Sequence, residues 1–378
     1  MRKKICFISA RPGSIKTFLS NHIEAIAKDY DIYMVANFTD QTIDPVPGVK
    51  ETFNVEIMRP ISIKADLKAV KKLTKYFKEK KFDAVHSLTP KAGLVTALAA
   101  KRAGIKHRIH IFTGQVWATR TGAMRKLLKA MDRLIVRRDN HILVDGESQR
   151  QYLIKNKILK ETNSQVLGAG SICGVDTERF NPTQQEREKQ RNALGLSDDK
   201  IVFAFMGRLN RDKGVYELFQ AFNDILLSCP NAYLIMFGRD EGNCLEHLKE
   251  YPNIKENTNF KYCGLTNTPQ LSLQAADVFV LPTYREGFGM SIIEASCLEL
   301  PVICSDAYGV ADTIVDNETG VRCKVADIPS LVEAMKFMYN NPQERKRMGE
   351  NGRRRVLEKF AASKIVQAWV DFYNEILK

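Results

Sequence analysis

Ten short apolar runs, each leading into a helical pattern, come in two series of five and leave this chain few folds to choose from. The first series is Ile5–Ala10, Ile32–Ala36, Asp83–Ser87, Arg108–Phe112 and His141–Val144. After Asn181-Pro182 and a polar stretch opening at Thr183, the alternation restarts with Ile201–Met206, Tyr233–Phe237, Phe260–Cys263, Val278–Leu281 and Val302–Ser305. Runs that are apolar throughout suit strands buried on both faces, and strand alternating with helix marks parallel βαβ units. At 378 residues the chain also exceeds what one core usually organises. The sequence therefore predicts an α/β protein of two doubly wound domains, residues 1–182 and 183–362, with a last helical segment, 363–378, crossing back onto the first. Doubly wound sheets bind ligands outside the carboxyl ends of their strands, so the two parallel sheets are expected to face each other across a cleft.

The charge is lopsided. Residues 1–182 hold 33 Lys and Arg against 17 Asp and Glu, whereas the remainder holds 24 against 27. Nucleic acid, an anionic membrane surface or a phosphate-bearing substrate would each explain a basic first half, as would a merely solvated face. Two segments concentrate the basicity. Lys64–Lys81 places Leu67, Val70, Leu73 and Phe77 at helical spacing among lysines, and Gly122–Arg138 aligns Met124, Leu127, Leu128, Met131 and Ile135 beside Arg125, Lys126, Lys129 and Arg133. Either helix suits anionic lipid, or else packs its apolar stripe on the first sheet with its lysines in water. Nucleic acid is disfavoured by the acidic second half and by the lack of an aromatic-basic repeat.

No run approaches the length of a membrane span, and Arg11-Pro12 interrupts the opening strand before a signal-peptide core forms, so a cytoplasmic, non-spanning protein is expected. The eight cysteines show no Cys-x-x-Cys pair and read as small core residues. The six histidines lack metal-ligand spacing, and Asp29-Tyr30-Asp31 falls at a helix-to-strand turn where such residues are ordinary. No metal and no cofactor is expected. Gly168-Ala-Gly170 is rejected as a dinucleotide loop because Val175-Asp176 and an Asn-Pro follow it instead of a helix.

Two motifs carry the chemistry. Gly207-Arg208-Leu209 leaves the strand Ile201–Met206, and Lys213-Gly214 opens the following helix. Two cations beside a helix N-terminus suit a diphosphate, Arg208 by paired hydrogen bonds and Lys213 as a point charge. Downstream, Glu286-Gly-Phe288-Gly289-Met290-Ser-Ile-Ile-Glu294 follows the strand Val278–Leu281. Glu286 lies on a glycine-freed loop and Glu294 one to two turns into a helix whose first N–H groups face a ligand. Carboxylates accept hydrogen bonds from sugar hydroxyls, so Glu294 suits a ribose and Glu286 a transferred sugar. A surface salt bridge or a helix cap is the plainer reading of each residue alone.

In this combination the residues resemble the retaining glycosyltransferases of family 4, whose GT-B architecture pairs two Rossmann-like domains. The resemblance covers essentially the whole chain and rests on Gly13 in the first strand-to-helix loop, Gly174-Val175-Asp176-Thr-Glu-Arg-Phe, Gly207-Arg208-Leu209 with Lys213-Gly214, and Glu286 with Glu294. The segments 86–93 and 108–118 look like the bacterial members that build surface polysaccharides on a lipid carrier. The resemblance implies transfer of a hexose or N-acetylhexosamine from a nucleotide-sugar, UDP foremost, to a polyprenyl-diphosphate-linked saccharide at the inner face of the cell membrane. It assigns Arg208, Lys213 and Glu286 to catalysis. Gly13, Phe288, Gly289, Met290 and Glu294 join them in donor binding, and Lys91, Thr113 and Gly114 lie on the acceptor side. Many relatives carry a histidine where Thr113 stands, and the spacing leaves open whether His110 takes its place. Nucleotide-sugar epimerases and phosphorylases share the architecture and stay open at this point.

Overall fold

A computed structural model describes residues 2–378 except 40, 42 and 59. The chain divides into two compact units, Met1–Gly174 with Ala362–Lys378, and Val175–Ala361.

The first unit is built on a six-stranded parallel sheet of β1 (Lys4–Ile8), β2 (Asp31–Ala36), β3 (Val49–Asn54), β4 (Ala84–Leu88), β5 (His107–Phe112) and β6 (His141–Val144), in the order β3-β2-β1-β4-β5-β6. The second repeats that order with β7 (Ile201–Met206), β8 (Ala232–Phe237), β9 (Phe260–Gly264), β10 (Val278–Leu281), β11 (Val302–Ser305) and β12 (Gly320–Cys323), arranged β12-β11-β10-β7-β8-β9. Each sheet reverses its winding between its first and fourth strands, the switch point at which doubly wound folds bind ligands. The central strands are buried along their length, save the half-buried end residues Ile201 and Met206 of β7, as their unbroken apolar runs require.

Two strands were not foreseen, β3 and β12. Both lie on sheet edges, and both carry charge, Lys50 and Glu51 in one and Arg322 in the other. Half-exposed edge strands lack the apolar run that betrays a central one.

The unit boundary also falls earlier than position 182. Val175 already belongs to the second unit, because its N–H donates to the Phe360 carbonyl at 2.8 Å, and Phe180 is buried in the second core. The C-terminal helix Ala362–Ile376 packs in the first unit. It buries Ile365, Trp369, Phe372 and Tyr373; Trp369 stacks on His86 at 5.0 Å, and the Tyr373 hydroxyl meets His86 Nδ1 at 2.6 Å.

The two basic helices differ. The helix Ile63–Lys80 buries Val70, Leu73 and Phe77, but Leu67, expected in the same stripe, is 57% exposed, because the helix meets the core only from Ala69 onward. The helix Gly122–Arg138 buries only Asp132 and Ile135, and leaves Met124 49% and Leu127 44% exposed. Trp117 holds its inner side, donating from Nε1 to Asp132 Oδ2 at 2.6 Å.

Candidate functional site

The cationic and carboxylate motifs meet at the carboxyl ends of β7 and β10, which are neighbours in the second sheet. Backbone contact shapes the first loop. Gly207 N–H donates to the Phe237 carbonyl at 3.0 Å, and a β-carbon at Gly238 would collide with the Gly207 carbonyl. Arg208 emerges from this turn 52% exposed and pairs with Glu241 at 3.0 Å, a partner that sequence spacing did not suggest. Asn210 then accepts the Lys213 N–H at 3.2 Å, which tightens a short turn over Arg211–Lys213 and sets Lys213 just before the helix Val215–Ile225, which starts at the expected residue.

The second loop is laced to the first. Lys213 Nζ forms an ion pair with Glu286 Oε1, both side chains being only 15% exposed. Arg285 Nη2 donates to Asp212 Oδ2 at 2.6 Å, while Thr283 Oγ1 and the Tyr284 N–H donate to the Asp212 carbonyl at 2.9 and 2.8 Å. Adjacent residues of opposite charge, Asp212-Lys213 and Arg285-Glu286, therefore pair crosswise. The signal was present in the sequence as two complementary dipeptides, and only the parallel placement of β7 beside β10 gives it meaning. Gly214 and Gly309 complete the fit: a β-carbon at either would collide with the carbonyl of Pro282 or of Glu286.

Beyond Glu286 the chain turns inward. The Phe288 side chain is buried and packs edge-on against Phe360 at 5.3 Å, so only its backbone is left to serve a ligand. Gly289 adopts φ +83°, where side chains are strained, and begins the helix Met290–Cys297 with no side chain capping it. Glu294 lies on that helix without a hydrogen bond or ion pair among the described residues. Burial raises its carboxyl to about 7, with Arg179 opposing the shift.

Gly13, expected in donor binding, and the expected acceptor-side residues Lys91, Thr113 and Gly114 fall in the first unit, after the carboxyl ends of the neighbouring strands β1, β4 and β5. Gly13 belongs to the first turn of the helix Pro12–Ile26 and not to the loop before it, since Pro12 already starts the helix. Lys91, near the start of the helix Pro90–Ala103, is held by Asp66 at 2.6 Å. Thr113 and Gly114 leave β5, Gly114 at φ +113°. The neighbouring Thr89 sits at φ 70°, a strained angle for a side-chain-bearing residue. His110, whose part the spacing left open, lies in the interior of the first unit. It is buried, bonds Ser87 Oγ through Nδ1 at 2.9 Å, fills the space that Gly93 leaves, and burial lowers it to about 3.

Two doubly wound Rossmann-like units of parallel sheet, with this cation and carboxylate constellation in the second, define the GT-B class of glycosyltransferases. Residues 186–355 match the family of glycosyl transferases group 1, and residues 34–170 match the glycosyl transferase 4-like domain. The chain is 32% identical over 324 residues to the capsular polysaccharide biosynthesis glycosyltransferase CapM of Staphylococcus aureus, covering 86% of this chain and 85% of that one. It is 25% identical to the UDP-Gal:alpha-D-GlcNAc-diphosphoundecaprenol alpha-1,3-galactosyltransferase of Escherichia coli, over 93% of this chain and 90% of the relative. The crystal structure of Anabaena Alr3699/HepE in complex with UDP-glucose superposes with a TM-score of 0.81 at 17% identity, covering 98% of this chain and 99% of that one. The chain belongs to the family-4, group 1 glycosyltransferases.

Proposed function

We propose that the protein is a retaining, metal-independent glycosyltransferase that moves a hexose or N-acetylhexosamine from a UDP-sugar to a polyprenyl-diphosphate-linked saccharide, in bacterial surface polysaccharide synthesis. The observation that carries this reading is the Lys213–Glu286 pair, which sets a cation and a sugar-binding carboxylate side by side in front of the uncapped helix at Gly289. The name of the Escherichia coli relative, with its UDP-linked donor and diphosphoundecaprenol acceptor, supports the choice of substrates.

In the proposed mechanism Arg208, Lys213 and the N–H groups at the start of Met290–Cys297 neutralise the donor diphosphate. Such preorganised donors contribute roughly 3–4 kcal/mol each where charge develops on a leaving group. The bond from the anomeric carbon to the diphosphate oxygen breaks with its electron pair going to the diphosphate. A phosphate oxygen then takes the proton of the acceptor hydroxyl, whose oxygen bonds the anomeric carbon on the same face. Retention follows without a protein base, in keeping with the burial of His110. Glu286 orients the sugar, and Glu294 accepts from the ribose.

The first unit takes the acceptor and rests on the membrane. No helix among the described residues is long and apolar enough to cross a membrane, so contact falls to the exposed Met124 and Leu127 with Lys126 beside them. A thermal-shift panel of UDP- and GDP-sugars, followed by transfer to polyprenyl-diphosphate-linked sugars, tests the assignment. A shift with a UDP-sugar and a linked product are expected; no shift with any nucleotide-sugar would contradict it.

A further inference from the structure

We infer that a cavity at the amino-terminal end of the second sheet is a binding site for a small phosphorylated anion, separate from the donor loops. The cavity measures about 640 Å³, within the range of small-molecule sites, and its walls include Gln184, Arg187, Asp277, Glu299, Arg345 and Lys346. Asp277 immediately precedes β10, whereas Thr283 and Glu286 follow it. The strands are parallel, so the cavity and the donor loops occupy opposite ends of one sheet, about 13 Å of strand apart at roughly 3.3 Å per residue.

The charges in the cavity do not balance: Arg187, Arg345 and Lys346 stand against Asp277 and Glu299, and Glu299 lies 3.8 Å from Arg353. Asp277 is already matched twice, by Arg187 at 2.6 Å and by Arg191 at 3.3 Å. Arg345 has no carboxylate within ion-pair distance among the described residues. Among the described residues it donates only from Nη1, to the carbonyls of Met338 and Tyr339, while Nε and Nη2 find no protein partner. Burial pulls its guanidinium below the ordinary value; Asp277, already shared by Arg187 and Arg191, opposes that shift only in part, and Arg187 adds to it. Lys346 stands on the next position, its only carboxylate 3.9 Å away. Two helices, Gln184–Leu194 and Pro342–Arg355, also begin at this cavity, the second with no side-chain cap. A free guanidinium edge and an ammonium are a phosphate's complement, the two helix N-termini adding less because Glu186 and Glu344 already stand in their first turns, and Leu298, Leu300 and Pro301 give an attached carbon skeleton an apolar wall.

The test uses inorganic pyrophosphate titrated calorimetrically into the full chain with UDP in excess. One saturable site is expected. Arg345→Gln should weaken it roughly tenfold or more, as loss of a charge-assisted contact does. Gln184→Glu guards against a folding artefact, because a carboxylate at that helix start stabilises the helix while repelling the anion; it should weaken binding about threefold. Arg208→Ala should leave binding unchanged. The inference is overturned by no binding up to about 10 mM, by full affinity in both cavity variants, or by loss in Arg208→Ala, which would place the anion at the donor loops.

Discussion

The two sheets are wound in the same order, yet the loops at their carboxyl ends are held differently. In the second unit, side chains do the work: Asp212 binds Arg285, Lys213 binds Glu286, and Gly214 and Gly309 let backbones touch. In the first, no such crosswise pairing of adjacent charges links the loops among the described residues, although positive φ occurs at the carboxyl ends of both sheets. Thr89 and Gly114 lie at positive φ, and Lys91 is tied back to Asp66. Fixed charges at fixed spacing suit a ligand portion shared by many relatives, a nucleotide diphosphate. A surface with fewer paired charges suits a partner that varies, such as the acceptor proposed for it.

That contrast can be broken most directly by removing charge from the second edge. Arg208→Ala and Lys213→Ala should each lower kcat by about 10²–10³-fold, the usual cost of one leaving-group or oxyanion donor. Circular dichroism should show an intact fold in both, and wild-type rates would end the assignment. Stability should respond most to the glycine contacts. Gly214→Ala forces a β-carbon against Pro282 at a positive φ and should cost more than about 1 kcal/mol in chemical denaturation; an unchanged midpoint would mean the two loops are not in register. Asp212→Asn should cost less stability, while lowering turnover through Arg285 and the 283–286 backbone, with UDP affinity measured alongside.

The carboxylates sharpen the same contrast through pH. Glu294 titrates at about 7 in the folded protein against an ordinary value of 4.5, so the native state holds this proton more tightly than the unfolded chain. Its contribution to stability is therefore full below the ordinary value and is lost as pH rises through about 7. Melting temperature followed from pH 4 to 8 should show that decline in wild type and less of it in Glu294→Gln; identical profiles would remove Glu294 from the account. The smallest effect concerns the first unit's surface. Liposome binding should grow with anionic lipid and fall by about 1 kcal/mol for each of Arg125, Lys126 and Lys129 neutralised. Unchanged binding would return those charges to solvated surface.

Much of this was legible because buried parallel strands write unbroken apolar runs, so β7, β10 and β11 stand at the residues their sequence predicts. Edge strands such as β3 alternate with charge and escaped notice. At the candidate site, residue type and spacing singled out Arg208, Lys213, Glu286 and Glu294, and the structure sets the first three on the loops after β7 and β10. The inward turn of Phe288 and the crosswise use of Asp212 and Arg285 were not legible, because they depend on which strands become neighbours. The early unit boundary was hidden for a related reason: Val175 is recruited by Phe360, far along the chain.

The central claim is that the paired loops of the second unit hold the donor's diphosphate. Calorimetric titration of UDP into the wild type and Lys213→Ala tests it most directly. The account predicts a single site weakened by roughly tenfold or more in the variant, in line with loss of a charge-assisted contact to phosphate. Equal affinity in the two proteins would contradict it.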